Sequence, residues 1–260
     1  MAVKISALIL TKNEEDLISD AINQLDFVDE IIVLDQSSQD KTVERARKFT
    51  DKIARTTSED FAKNRNLLAS HAKGEWLLYV DCDERLTESL AREIQDAIKN
   101  SKFSAYYIPR QNFLLGKWQK HGGWWPDYVP RLIKRKSLIA WQGKVHESPK
   151  IEGESGYFKN PLVHLTARSM SRILEKSIKW AKIEAQLYHQ STNPKVTIVR
   201  ITKGAISEFI SRYFLKLGFL DGTIGAISAI YQSLHRAMIF TYLWELQNDA
   251  KQKFAKAKSV

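Results

Sequence analysis

The sequence predicts an α/β protein: a mostly parallel central sheet flanked by helices, followed by a C-terminal helical extension. Three observations carry this. Over the first hundred residues, short apolar runs alternate with segments of helical period. The runs are apolar throughout rather than alternating, as in strands covered on both faces. Beyond Pro194 the remaining long apolar stretches follow a helical period only.

ISALILT (5–11) predicts the first buried strand, and Leu17, Ile18, Ala21, Ile22 and Leu25 predict a helix over 14–25. EIIVLD (30–35) is the second strand and 40–49 a polar helix. KIARTT (52–57) reads as a weaker third strand, 60–73 as a third helix, WLLYVD (76–81) as the fourth strand and 87–99 as the helix behind it. After AYYIPRQ (105–111) the pattern breaks into Gly-, Trp- and basic-rich sequence with short strand-like pieces, VPRLIKR and PLVHLT. Helices follow at about 169–190, 196–217 and 222–247. The expected organisation is a catalytic region over 1–165, with halves 1–100 and 101–165, and a helical region over 166–260.

The net charge of +10 is unevenly spread. Residues 1–100 carry 14 Lys/Arg against 20 Asp/Glu, residues 101–194 carry 16 against 6, and residues 195–260 carry 10 against 4. A basic back half points to a polyanionic partner: nucleic acid, anionic lipid or a phosphorylated substrate. The single cysteine, Cys82, excludes an internal disulfide and a cysteine-rich zinc site. MAVKISALIL lacks the pattern of a signal peptide, so a cytoplasmic location is expected.

Open α/β sheets bind ligands at the carboxyl ends of their strands. Three such ends are polar here: Thr11-Lys12-Asn13-Glu14, Asp35-Gln36-Ser37-Ser38 and Asp81-Cys82-Asp83. No GxGxxG or GxxxxGK[ST] is present, which argues against dinucleotide oxidoreductases and P-loop enzymes. On an extended backbone Asp81 and Asp83 would point to one side about 7 Å apart. Carboxylates that close repel unless a cation or proton intervenes. Oxygen ligands favour Mg2+ or Mn2+, completed by substrate phosphates. The competing reading is an acidic turn capped by Glu84.

The motifs ALILTKNEE, IIVLDQSSQDKT, DFAKNRNLLASHAKGEWLLYVDCDERL and GKVHE occur in this order. Over about 1–165 the chain resembles inverting family 2 glycosyltransferases of the GT-A (Rossmann-like) fold. Within them it is most similar to bacterial lipopolysaccharide inner-core β-1,4-glucosyltransferases. YYIPRQNFLLGKWQKHGGWWPDYVPRLIKR, NPLVHLTARS and LGFLDGTIGAISAIYQS have counterparts in that subgroup. The resemblance implies a nucleotide-diphospho-sugar donor such as UDP-glucose and a lipid-linked phosphorylated saccharide acceptor, with Mn2+ or Mg2+ as cofactor. Thr11, Asn13, Glu14 and Asp35 would hold base and ribose, Lys63 and Arg65 would lie near base and diphosphate, and Asp81 would face the ribose. Asp83 would bind the metal, with His164 as a further metal or diphosphate ligand. Cys82 between the two aspartates departs from the usual pattern and reads as a small apolar filler. A related transferase with another donor or a peptide acceptor is the alternative, and a nucleic-acid-binding α/β protein the alternative of another class.

An inverting transfer needs a base for the acceptor proton. Many family members carry an acidic pair after the fifth strand, and this chain has none. The candidates are Glu147, with His146 beside it, and Asp127, which would otherwise orient Arg131 or cap a turn. Residues 113–145 interleave Phe113, Trp118, Trp124, Trp125, Tyr128 and Trp141 with Lys117, Lys120, Arg131, Lys134, Arg135, Lys136 and Lys144. That suits a phosphorylated sugar, and equally a single-stranded nucleic acid or a packed subdomain. Gly122-Gly123 would free a loop to close over the donor, with His121 near the acceptor. His71, His189 and His235 read as helix-surface residues.

In 198–217, Ile198, Ile201, Ala205, Phe209, Ile210, Tyr213, Phe214 and Leu217 trace an apolar helical face flanked by Arg200, Lys203, Arg212 and Lys216. From Gly222 to Trp244 only His235 and Arg236 are titratable or charged apart from tyrosine. They fall where a membrane span would tolerate them badly. These helices are expected to lie on an anionic leaflet, at the inner face of the plasma membrane, or to mediate oligomerisation, or to cap the catalytic region.

Overall fold

The computed structural model describes residues 4–99, 101–143, 147–167, 169–191 and 194–257. Two compact units result: residues 1–111 with 126–165, and residues 112–125 with 166–260. The stretch 112–125, assigned above to the catalytic region, therefore belongs with the C-terminal helices.

The first unit begins as the periodicity requires. β1 (Ile5–Thr11), α1 (Ile18–Asn23), β2 (Glu30–Asp35), α2 (Thr42–Ala46), β3 (Ile53–Arg55), α3 (Phe61–His71) and β4 (Trp76–Asp81) alternate along the chain. β1 pairs in parallel with β2 and β4, and β2 with β3. Successive residues of each central strand enter opposite cores. Ile5, Ala7, Ile9, Val33, Trp76, Leu78 and Val80 pack with Ile18, Ile22, Leu90 and Ile94 on one face. Leu8, Leu10, Ile32, Leu34, Leu77 and Tyr79 pack with Ala62 and Leu68 on the other. Both faces are covered, which is why the strand interiors are apolar on both sides apart from Ser6, which donates to the buried Glu30 at the start of β2. α1 and α2 are shorter than expected: residues 14–17 stay in the loop at the sheet's carboxyl edge, and residues 47–49 leave α2 as turns.

After β5 (Glu84–Leu86) and α4 (Glu88–Lys99), the sheet becomes mixed. β6 (Ala105–Leu114) runs antiparallel to β7 (Lys117–Trp118) and to β8 (Asp127–Lys134), and β8 runs antiparallel to β4. β9 (Leu138–Gln142) and β10 (Ser148–Ile151) form a separate hairpin. β11 (Ser155–Tyr157) joins β6, and β12 (Leu162–Ala167) pairs antiparallel with β5. The main path is β3-β2-β1-β4-β8-β6-β12-β5.

The second unit is built on α5 (Met170–Gln190), α6 (Ile198–Ile210) and α7 (Gly222–Ala257). α5 and α6 start on serine and threonine caps, Ser169 accepting from Arg172 N and Thr197 from Arg200 N. Val196, Ala185 and Leu243 form one small core, and Leu114, Ile173 and Ile224 another. His235, expected on a helix surface, is partly buried and faces Glu184 at 3.4 Å. Among the described residues no single helix is long and apolar enough to cross a membrane.

Candidate active site

The parallel register brings the three polar strand ends together. Thr11 lies opposite Asp35, and Leu10 opposite Asp81. Two loops are then laced across the edge. Asn13 N donates to Ser38 Oγ, Gln39 N to Asn13 Oδ1, Glu14 N to Thr42 Oγ1 and Glu15 N to Asp40. Asp35 is fully buried and accepts from Ser38 N at 3.1 Å, with Arg55 at 3.9 Å. Asn13 and Ser37 both adopt the left-handed region, with φ of 53° and 58°. Strain at non-glycine positions clusters at sites that need a fixed geometry.

At the end of β4 the chain departs from the extended geometry expected for Asp81-Cys82-Asp83. Cys82 and Asp83 form a tight turn before β5. Glu84, read from sequence as the cap of an acidic turn, does cap it, but from a buried position, 0% exposed. Its carboxylate accepts from Asp81 N at 3.0 Å and from Arg131 at 2.5 Å. Cys82 is buried, its thiol directed at Leu10 O. Burial pushes the thiol up from its ordinary range, the adjacent Thr11 opposes that, and nearby Glu14, Asp83 and Asp81 add to it.

β12 lies against β5 with His164 opposite Glu84, and Leu165 N donates to Asp83 O at 2.8 Å. This register sets His164 Nε2 3.5 Å from Asp83 Oδ2, both side chains partly open. Among the described residues no cluster of three or more His, Cys, Asp or Glu side chains stands ready for a metal. The Asp83–His164 pair nevertheless suits one. Two donors each about 2.1 Å from a divalent ion sit about 3 Å apart in adjacent positions, and substrate oxygens complete such a shell.

An alternating chain of carboxylates and guanidiniums runs through the site. Glu147 pairs with Arg65 at 3.1 Å, and Arg65 with Asp81 at 3.2 Å. Arg131 bridges Asp81 and Glu84 at 2.5 Å each, and Arg110 lies 3.9 Å from Glu84. Arg110 also grips Asp127 through Nε and Nη2, at 3.0 and 2.7 Å. Asp127 therefore orients Arg110, not Arg131. Burial opposes the charge on Asp81, but Arg131 and Arg65, helped by His164 and Arg110, outweigh it and hold its carboxyl well below the usual range. Burial has the upper hand at Glu84, whose carboxyl is raised despite Arg131, with Asp81 reinforcing the shift. Two neighbouring carboxylates are thus pushed apart by their surroundings.

Arg65 is fixed by more than ions. Its guanidinium lies 4.9 Å from the Trp141 ring and 5.6 Å from the Tyr79 ring. Asn66 ties α3 to β9, donating to Trp141 O and accepting from Trp141 N. Lys63 lies exposed in the first turn of α3. His146 and Lys144 lie outside the described residues. Sequence reasoning missed Arg110 and the bridging part of Arg131; each is an arginine inside an apolar strand, YYIPRQ and VPRLIK, and that was the available signal.

Within the second unit, Trp124 Nε1 donates to Ser228 and Arg212 lies over its ring, so this tryptophan fills the helical unit. Gly122 and Gly123, at φ 68° and 80°, form a turn fastened to Lys216 O and by Arg212, not an untethered flap. His121 Nδ1 meets Asp221 at 2.7 Å.

A parallel sheet with converging acidic strand ends, extended by an antiparallel half, defines a GT-A glycosyltransferase. The chain belongs to Glycosyl transferase family 2, whose model matches residues 6–160. It is 37% identical over 267 residues to an uncharacterized glycosyltransferase of Rickettsia typhi, covering 97% of this chain and 90% of that protein. It is 25% identical to the lipopolysaccharide core biosynthesis glycosyltransferase LpsC of Rhizobium meliloti, covering 91% and 92%. Among solved structures it is similar to glucosyl-3-phosphoglycerate synthase of Mycobacterium tuberculosis, determined with Mn2+, UDP-glucose and phosphoglyceric acid. The TM-score is 0.51 at 15% identity, over 74% of this chain and 81% of that one.

Proposed function

We propose that the chain is a divalent-metal-dependent, inverting hexosyltransferase that moves glucose from UDP-glucose onto a lipid-linked, phosphorylated saccharide of the lipopolysaccharide inner-core type. The observation that carries this is the meeting of Asp83 with His164, 3.5 Å apart, at the edge where Thr11, Asp35 and Asp81 converge. The acceptor class follows the name of the LpsC relative and the excess of 16 Lys/Arg over 6 Asp/Glu in 101–194. The donor and metal follow those bound by the mycobacterial synthase.

In this reading Thr11, Asn13, Glu14 and Asp35 hold base and ribose, Lys63 and Arg65 serve the base and diphosphate, and Asp81 faces the ribose. Asp83 and His164 hold the metal, which when bound neutralises charge on the departing diphosphate. The acceptor oxygen attacks the anomeric carbon opposite the diphosphate, whose bond to that carbon breaks with its electron pair. The hydroxyl proton passes to Glu147, held by the same Arg65 that holds Asp81. Asp127 is the alternative base.

UDP with Mn2+ should raise the melting temperature of the wild-type protein, and Asp83→Ala should abolish the metal-dependent part. An equal response in Asp83→Ala would overturn the metal assignment. Glu147→Gln should retain UDP binding but lose transfer; near-normal turnover there, with loss in Asp127→Asn, would move the base to Asp127.

A further inference from the structure

The helical unit carries an apolar tip that its own packing leaves largely exposed: Phe214 and Phe219 each meet Tyr213 edge to face, and both stay about half open. α6 ends in a widened turn at Ser211–Leu215, and the chain reverses through Gly218–Asp221 into α7. The reversal is built to be rigid. Leu217 takes a left-handed φ of 57°, and a Cβ on Gly218 would stand 2.6 Å from Arg212 O. Lys216 N donates to Ser211 O, Gly122 N to Lys216 O, and Arg212 Nη1 to Gly122 O. Asp221 accepts from both His121 N and its ring.

A backbone so tightly held presents Phe214, Leu215, Leu217, Phe219 and Leu220 outward, Leu215 at 76% exposure and Leu220 at 55%. Five exposed large apolar side chains within seven residues form a patch that soluble surfaces rarely keep without a partner. Ile198, Val199, Ile206 and Ile210 extend it along the outer side of α6.

The charges around the patch say what covers it. Lys216 lies exposed within the tip, and Lys203 lies exposed on the outer side of α6 beside Ile206. Residues 195–260 carry 10 Lys/Arg against 4 Asp/Glu. A second copy docking tip to tip would bring these cations together, whereas an anionic lipid surface meets both the apolar side chains and the lysines. Depth is limited. α6 with its extension and α7 pass as apolar only as a pair bent by 70°. Their interface holds the ions Glu208, Arg212 and Arg236, and Lys203 shares the outer side with Ile206.

We propose that the tip Phe214–Leu220 is a shallow insertion wedge for an anionic bilayer, with Lys216 and Lys203 resting on lipid head groups. Its purpose, reaching a membrane-borne acceptor, rests on the proposed function; its evidence does not. The test is flotation of the full-length protein, without substrate, with vesicles of phosphatidylcholine alone or mixed with phosphatidylglycerol. The wild-type protein should float with the anionic vesicles and lose that on added salt. Leu215→Ser/Leu220→Ser should weaken partitioning about ten-fold or more. Lys216→Glu should weaken it about five-fold or more. Melting temperature and metal-dependent UDP binding should be unchanged in both variants. Flotation of the double variant equal to wild type, or no flotation with either vesicle, would overturn the wedge. So would a dimer in sedimentation velocity that the double variant dissociates while vesicle binding is absent. Failure of transfer with intact flotation would count against the enzyme reading alone.

Discussion

Arg131 donates from Nη2 to Glu84 Oε1 at 2.5 Å, with the two side chains 5% and 0% exposed. The same nitrogen reaches Asp81, so one guanidinium fixes both the last residue of β4 and the first of β5. The turn holding Asp83 is thereby clamped at both ends, and Asp81 N closes it onto Glu84.

Glu84→Ala should be severely destabilising. It leaves Arg131 partly uncompensated in a buried site, a change that costs about 3–5 kcal/mol when one partner of a buried pair is removed. For a chain of this size each 1 kcal/mol shifts the melting temperature by roughly 2–4 °C. Thermal denaturation should show a drop of about 6 °C or more, and a drop within about 2 °C would contradict the clamp.

Arg65→Lys should fail despite keeping the charge. One ammonium cannot reproduce the fork that serves Asp81 and Glu147 together while lying against Trp141 and Tyr79. Steady-state kinetics should show kcat/KM lower by about 100-fold, close to 2.7 kcal/mol of transition-state stabilisation. Turnover within a factor of three of wild type would show that the fork is dispensable.

His164→Ala should raise the half-saturating Mn2+ concentration about ten-fold, or 1.4 kcal/mol, and spare UDP binding at saturating metal. An unchanged metal titration would leave His164 as a packing residue of β12.

Asp81 is held ionised by Arg131 and Arg65, so its folded-state carboxyl lies below its unfolded value. Its stabilisation is therefore present above about pH 3.9 and is lost as pH falls below that. Asp81→Asn should lose stability near neutral pH and show a flatter acid limb between about pH 4 and 2 than wild type. Parallel acid limbs in the two proteins would contradict the assignment.

Cys82 is buried and its thiol is pushed up. A disulfide reagent at about pH 8 should leave the native protein unmodified and titrate one thiol only after denaturation, because the thiolate is the reactive form. Rapid native modification would mean the β4 turn opens.

Much of the first unit was legible in the sequence. β2 and β4 occupy the predicted residues, and β1 ends at the predicted Thr11, because strands covered on both faces need near-continuous apolar runs. The converging strand ends were equally legible, since parallel neighbours place Thr11, Asp35 and Asp81 on one edge. Glu84 was not legible. A carboxylate after DCD reads as solvated, and only Arg131, 47 residues further on, makes its burial tolerable.

The sequence by itself therefore determined the strand–helix alternation, the acidic edge and the family, because each is written in residues close along the chain. The tertiary structure alone decided how the carboxylates are used. It set Asp83 against His164, tied Glu147 and Asp127 to different arginines, and moved 112–125 to the helical unit. A buried charge is stable only beside its counter-charge, and those partners are brought together by strand pairing between distant segments, which no local pattern records.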